Sequence, residues 1–154
     1  MRKRTLLLPL LLASTVAQAQ LFGINIGDSP DKFPLCDSDA GTGKNCLHTS
    51  QYGQTIELRP QRPSFMASNV VLAINGGKIT SFYFDTKGVS SQKEAMDYLS
   101  TTLGKPASSA TKTKQNSFGA TFSVIESTWQ TKNGAVVDFE GAKDRIDKGS
   151  ITVF

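Results

Sequence analysis

The sequence predicts an α+β domain: an antiparallel sheet of about six strands packed on one main helix, residues 91–103. Three observations predict it. The β-prone runs Val70–Ile74 and Lys78–Phe84 flank Asn75-Gly76-Gly77, and a glycine-rich reversal between such runs makes a hairpin. Only Ser90–Leu103 sets apolar residues at helical spacing along one face, with Ala95, Met96, Leu99 and Leu103. The last third holds three more strand-like runs, 122–131, 135–140 and 150–154, the first two joined by Asn133-Gly134.

The elements follow in chain order. Arg2, Lys3 and Arg4 precede the apolar run Leu6–Leu12 and a small-residue stretch ending Ala17-Gln18-Ala19. This is the pattern of a secretory signal peptide over 1–19, cut after Ala19 and leaving a single domain over 20–154. The formal net charge of +4 is carried largely by those three cations. A near-neutral remainder gives no electrostatic case for nucleic acid or an anionic membrane. The apolar run is too short to span a bilayer, so the mature chain is expected not to insert. The expected location is the periplasm or the extracellular medium.

Phe22, Ile24 and Ile26 alternate as a short strand, and Ser29 before Pro30 reads as a helix cap. Pro34 keeps that helix short. Cys36 and Cys46 are the two cysteines of the chain, and an even pair in an exported protein reads as a disulfide. A ring of this size is a local staple, contributing about 2–3 kcal/mol at best. Thr55–Arg59 is a strand stopped by Pro60 and Pro63. Ser91 and Glu94 have the spacing of a capping box, and Gly104 with Pro106 ends the main helix. Residues 105–119, rich in Ser, Thr and Lys, read as a connector.

The two halves echo each other. Val70-Val71 leads to Gly77-Lys78-Ile79-Thr80-Ser81-Phe82, and Val136-Val137 leads to Gly149-Ser150-Ile151-Thr152-Val153-Phe154. The echo is that of two degenerate repeats, although ordinary hairpins built of the same β-prone residues share it.

The opening Phe22-Gly23-Ile24-Asn25-Ile26-Gly27-Asp28-Ser29 is similar to the start of repeats in two groups, the small outer-membrane assembly lipoproteins and the secreted β-lactamase inhibitor proteins. Leu99 to Leu103-Gly104-Lys105-Pro106, followed by Trp129, resembles a pattern of many periplasmic domains. The resemblance implies a helix-on-sheet scaffold that binds protein without catalysis. There is no lipobox cysteine, so a lipid anchor is not implied.

Catalytic chemistry has little to work with. His48 is the one histidine, in a polar segment with no nucleophile elbow nearby. Asp37-x-Asp39 and Gly41-Thr42-Gly43-Lys44 depart from calcium and phosphate loops at required positions. No metal site and no cofactor are expected. Asp138, Glu140, Asp144 and Asp147 could serve acid–base work on a sugar, but Asp138 and Glu140 alternate with Val137 and Phe139 as a solvated sheet face does.

The aromatic strand is the better lead. Thr80, Phe82 and Phe84 share one of its faces, and Ile79, Ser81 and Tyr83 the other. One helix covers one face of a sheet. The expectation is a contact patch on the opposite face containing Tyr83 and Trp129, with Lys78 and Arg59 on its rim. The expected function is an exported protein-binding module, an inhibitor or an envelope-assembly factor, not an enzyme, whose partner is another envelope or extracellular protein. The alternatives are a small-ligand or glycan carrier, and a hydrolase using the Asp138–Asp147 carboxylates.

Overall fold

The computed structural model describes residues 20–154. The signal peptide expected over 1–19 lies outside the described residues. The strands are β1 (Cys46–Ser50), β2 (Gly53–Glu57), β3 (Val70–Asn75), β4 (Lys78–Thr86), β5 (Ser108–Gln115), β6 (Thr121–Gln130), β7 (Val136–Arg145) and β8 (Lys148–Val153). They form one antiparallel sheet in the order β1-β2-β3-β4-β8-β7-β6-β5. The only α-helix among the described residues, α1 (Gln92–Leu103), joins β4 to β5.

The sheet is thus larger than the six strands expected, and it, not the helix, dominates the architecture. Two strands, β5 and β1, make the difference. The expected connector contains β5, whose eight residues pair along their full length with β6. It is an edge strand exposed almost throughout, so its sequence has no buried face to reveal. β1 lay hidden beside the disulfide loop.

Two four-stranded meanders, β1–β4 and β5–β8, meet where β4 pairs with β8. The echoed sequence segments fall on equivalent strands, since Val70-Val71 opens β3 and Val136-Val137 opens β7. The Gly76-Gly77 reversal between β3 and β4 forms with both glycines at positive φ, +56° and +73°, as a two-residue hairpin turn of this hand requires.

One face of the sheet carries the core. Phe82 and Phe84 of β4, Ile151 and Val153 of β8, Val137 and Phe139 of β7, and Trp129 of β6 are buried together. Three segments cover them. α1 contributes Ala95 and Leu99, the β2–β3 connection contributes Phe65 and Met66, and the N-terminal strap contributes Leu21, Ile24 and Phe33. The strap is tied down by backbone bonds from Gly27 to Ile79 and from Ile79 to Asp28. The Cys36–Cys46 disulfide secures its far end to β1, with the two Cα atoms 4.9 Å apart. Ser29 accepts from the Asp31 amide at the 3-10 turn Pro30–Lys32, so the cap expected there holds one turn only.

The capping box does not form. Ser91 Oγ donates to the Gly88 carbonyl, and Glu94 accepts from Ser64. A 3-10 turn, Gly88–Ser91, runs directly into α1, and the Gln92 amide donates to Val89. The turn's own carbonyls therefore take up donors that a side-chain cap would otherwise satisfy.

That turn is pressed against the β7–β8 reversal. Gly88 sits at φ +66°, and a Cβ there would lie 2.1 Å from the Ile146 carbonyl oxygen. Gly76, at φ +56°, has open space around it. Both positions charge a non-glycine residue for the left-handed conformation, about 1–2 kcal/mol, and only Gly88 adds a backbone clash. Urea unfolding should therefore show Gly76→Ala losing about 1 kcal/mol and Gly88→Ala about 3 kcal/mol or more. Equal losses would contradict this packing.

Candidate functional site

The face opposite the core is open around Tyr83 and Phe154. Pairing registers trace one row of outward residues across all eight strands. His48 opposes Thr55, Thr55 opposes Val71, and Val71 opposes Tyr83. Tyr83 then opposes Thr152, followed by Asp138, Thr128 and Ser108. The neighbouring row runs Asp85, Ser150, Glu140, Glu126 and Ala110. Alternation along each strand keeps these side chains on one side.

The centre of this face is aromatic. Tyr83 is 44% exposed and Phe154 is 50% exposed. Phe154 continues β8 by exchanging backbone hydrogen bonds with Val136, and it lies two residues beyond Thr152. Half-buried Val71 stands beside Tyr83 on β3.

The flanks are polar and internally paired. On the β5–β8 side a shallow depression of about 650 Å³ is lined by Lys112, Glu126, Thr128, Asp138, Glu140, Thr152 and Phe154, among others. Lys114 Nζ donates to Glu140 at 2.8 Å and to the Ala142 carbonyl at 2.7 Å. Thr128 Oγ1 donates to Asp138 at 2.7 Å. Lys112 pairs with Glu126 and, with Lys114 behind it, holds that carboxyl below its ordinary range against the opposing effect of burial. Lys148 reaches Asp85 at 3.3 Å.

On the β1–β2 side, Glu57 is the hub. It accepts from Arg59 Nε at 2.7 Å through Oε1, and its Oε2 lies 2.9 Å from His48 Nε2. The Arg59 bond first, then the His48 bond, holds its carboxyl at about 2.

The four residues expected to form one patch are separated. Tyr83 lies on the open face, but Trp129 is 1% exposed in the core, its indole N–H donating to the Gly104 carbonyl at 2.8 Å. The register gives the reason. Trp129 opposes Val137, Val137 opposes Val153, and Val153 opposes Phe82, all inward. Two strands stand between β4 and β6, and the row of Trp129 is one residue out of step with that of Tyr83. Arg59 follows β2 and is engaged by Glu57. Lys78 begins β4 at the hairpin turn, opposite Asn75. The grouping of Ile79 with Tyr83 also fails. An irregularity between Ala73 and Ile74 shifts the β3–β4 register, and Ile79 is fully buried.

The Asp138–Asp147 carboxylates do not converge. Asp138 and Glu140 line the depression, each already accepting a hydrogen bond. Asp144 and Asp147 line a different concavity at the β7–β8 reversal, where Arg145 holds Asp147. Phe154, His48 and Glu57 were absent from the expected site, which held only Arg59 of the Glu57 cluster. Period-two alternation in 150–154 could have marked Phe154, whereas His48 and Glu57 meet only through pairing of strands.

No protein-family model, curated protein or solved structure gives a significant match to the chain. The reading of the open face therefore stands on its geometry. Among the described residues, no helix is long and apolar enough to cross a membrane.

The Glu57 cluster generates a signed pH dependence. A carboxyl lowered from 4.5 to about 2 in the folded chain contributes stability that is present above pH 4.5 and is lost as the pH falls through about 2. The groups are partly exposed, which limits the contribution to about 1 kcal/mol or less. Urea unfolding of wild type and Glu57→Gln should differ by that amount at neutral pH and converge in acid. A difference that grows in acid would contradict the assignment.

Proposed function

We propose that the protein is an exported protein-binding module, an inhibitor or an envelope-assembly factor. It docks a folded partner on the open sheet face by surface complementarity, with no covalent step. The observation that carries the reading is an exposed aromatic centre, Tyr83 and Phe154, on a sheet face with paired charges at its flanks. Such a distribution, apolar in the middle and polar at the rim, is that of a non-obligate interface.

The dimensions fit. Seven gaps of about 4.8 Å make the face about 34 Å wide, and six-residue strands make it about 20 Å tall. The product, about 700 Å², is close to the roughly 800 Å² that each partner contributes to a standard interface. The Cys36–Cys46 disulfide supports an oxidising compartment, consistent with the N-terminal sequence pattern.

The hydroxyl- and carboxylate-lined depression favours a second reading, a glycan-binding carrier. The two readings separate by mutation. Mature protein used as bait against envelope extract should capture a partner, and Tyr83→Ala should weaken capture about thirtyfold, the equivalent of about 2 kcal/mol for a central anchor. Thermal unfolding should barely change, because the ring is half in water. Lys78→Ala, at the turn, should have little effect. Capture that survives loss of both Tyr83 and Phe154 side chains would overturn the docking reading. Retention on immobilised polysaccharide that is lost with Asp138→Ala would establish the carrier.

A further inference from the structure

The disulfide stands at the Glu57 cluster, and its Cys36 sulfur belongs to that cluster's donor set. Cys46 opposes Glu57 in the β1–β2 register, and His48, two residues further on, points to the same side. Cys36 Sγ, a His48 ring nitrogen and a Glu57 carboxylate oxygen all lie within 4.8 Å of one another. Cys46 Sγ is bonded to Cys36 Sγ. One sulfur, one imidazole and one carboxylate are thus gathered at one corner of the sheet, with the second sulfur, that of buried Cys46, bonded to the first. In the oxidised protein the sulfurs carry no charge and are poor ligands, because the thiolate is the form that binds metal.

We propose that reduction of the Cys36–Cys46 disulfide converts this corner into a tetrahedral Zn²⁺ site, with Cys36, Cys46, His48 and Glu57 as its four ligands. The inference is independent of the docking reading. A dithiol reductant supplies the two electrons that break the S–S bond and becomes a disulfide itself, and its two protons pass to the cysteine thiols. Zn²⁺ binding then releases those two protons to solvent as the thiolates coordinate.

Chemistry and charge both suit the ion. Zn²⁺ takes sulfur, imidazole and carboxylate donors at about 2.0–2.3 Å, which places them about 3.3–3.8 Å apart. The donors of Cys36, His48 and Glu57, spread over up to 4.8 Å, close to that spacing by side-chain rotation, and the buried Cys46 Sγ, freed from Cys36 by reduction, turns in as the fourth. The ion takes the place of the hydrogen bond between His48 Nε2 and Glu57 Oε2. Arg59 stays on Oε1 and orients the carboxylate toward the ion, as supporting hydrogen bonds do in metal sites. Two thiolates and one carboxylate carry three negative charges, which Zn²⁺ and the Arg59 guanidinium neutralise.

The test uses Co²⁺ as a spectroscopic substitute. Mature protein is reduced with excess dithiol, desalted without oxygen and titrated with Co²⁺, beside an unreduced sample. The expected result is one equivalent bound by the reduced protein only, with a thiolate-to-cobalt charge-transfer band and intense tetrahedral visible bands, both abolished by Zn²⁺. His48→Ala and Glu57→Gln should keep the charge-transfer band but weaken binding about tenfold or more. Absence of the bands in the reduced protein, whether folded or not, overturns the proposal. So does wild-type affinity in both variants, which would reduce the site to chelation by the two thiols alone.

Discussion

The pairing of β4 with β8 is the constraint on which the rest of the structure depends. Among the described residues it is the only strand pairing between the two four-stranded meanders, and it joins segments about seventy residues apart in sequence. Its register decides both faces at once. With Phe82 opposite Val153 and Phe84 opposite Ile151, four large apolar side chains turn inward, and Tyr83 with Thr152 turns outward. A slip by one residue would exchange the faces, exposing the apolar set and burying tyrosine and threonine.

Closure of the inner face follows from that register. The strap and the β2–β3 connection join the core with Leu21, Ile24, Phe33, Phe65 and Met66, and α1 joins it with Ala95 and Leu99. Phe22 and Tyr98 stack with centroids 5.5 Å apart, and Phe65 packs on Tyr98 at 5.3 Å, linking all three covers. Beyond the stretch where β6 and β7 pair, Gln92 at the start of α1 takes over. Its side-chain Nε2 donates to the Ser123 carbonyl and its Oε1 accepts from the Ile125 backbone amide, each at 2.9 Å. It thus serves backbone groups of β6 as a neighbouring strand would. Gly141 leaves it room, since a Cβ there would lie 2.4 Å from Gln92 Oε1. The inner face is therefore sealed by elements that make no claim on the outer one.

What could be read from sequence follows from whether a signal was local. The β3–β4 reversal was legible because Gly76-Gly77 meets a backbone requirement of the turn itself. The helix was legible because Ala95 and Leu99 repeat at its own period. The disulfide was legible from cysteine count and context. β5 was not, because Ser108–Gln115 is held by backbone pairing at an edge and has no buried side chains to pattern. The direction of Trp129 was not, because it depends on which strands intervene between β4 and β6. The His48–Glu57 contact was equally invisible, since it exists only once β1 and β2 are in register. Sequence alone could identify Tyr83 as outward relative to Phe82 and Phe84, and this placement survives in the structure. The rest of the face needed the strand order.

The central claim is that one face of this sheet is closed and the other is open. Hydroxyl-radical footprinting of the isolated protein, read by mass spectrometry at single residues, addresses it without a partner. Tyr83 and Phe154 should be oxidised readily, while Trp129, intrinsically the more reactive side chain, should be protected until the chain unfolds. Rapid oxidation of Trp129 in the folded protein, or protection of Tyr83 and Phe154, would contradict the account.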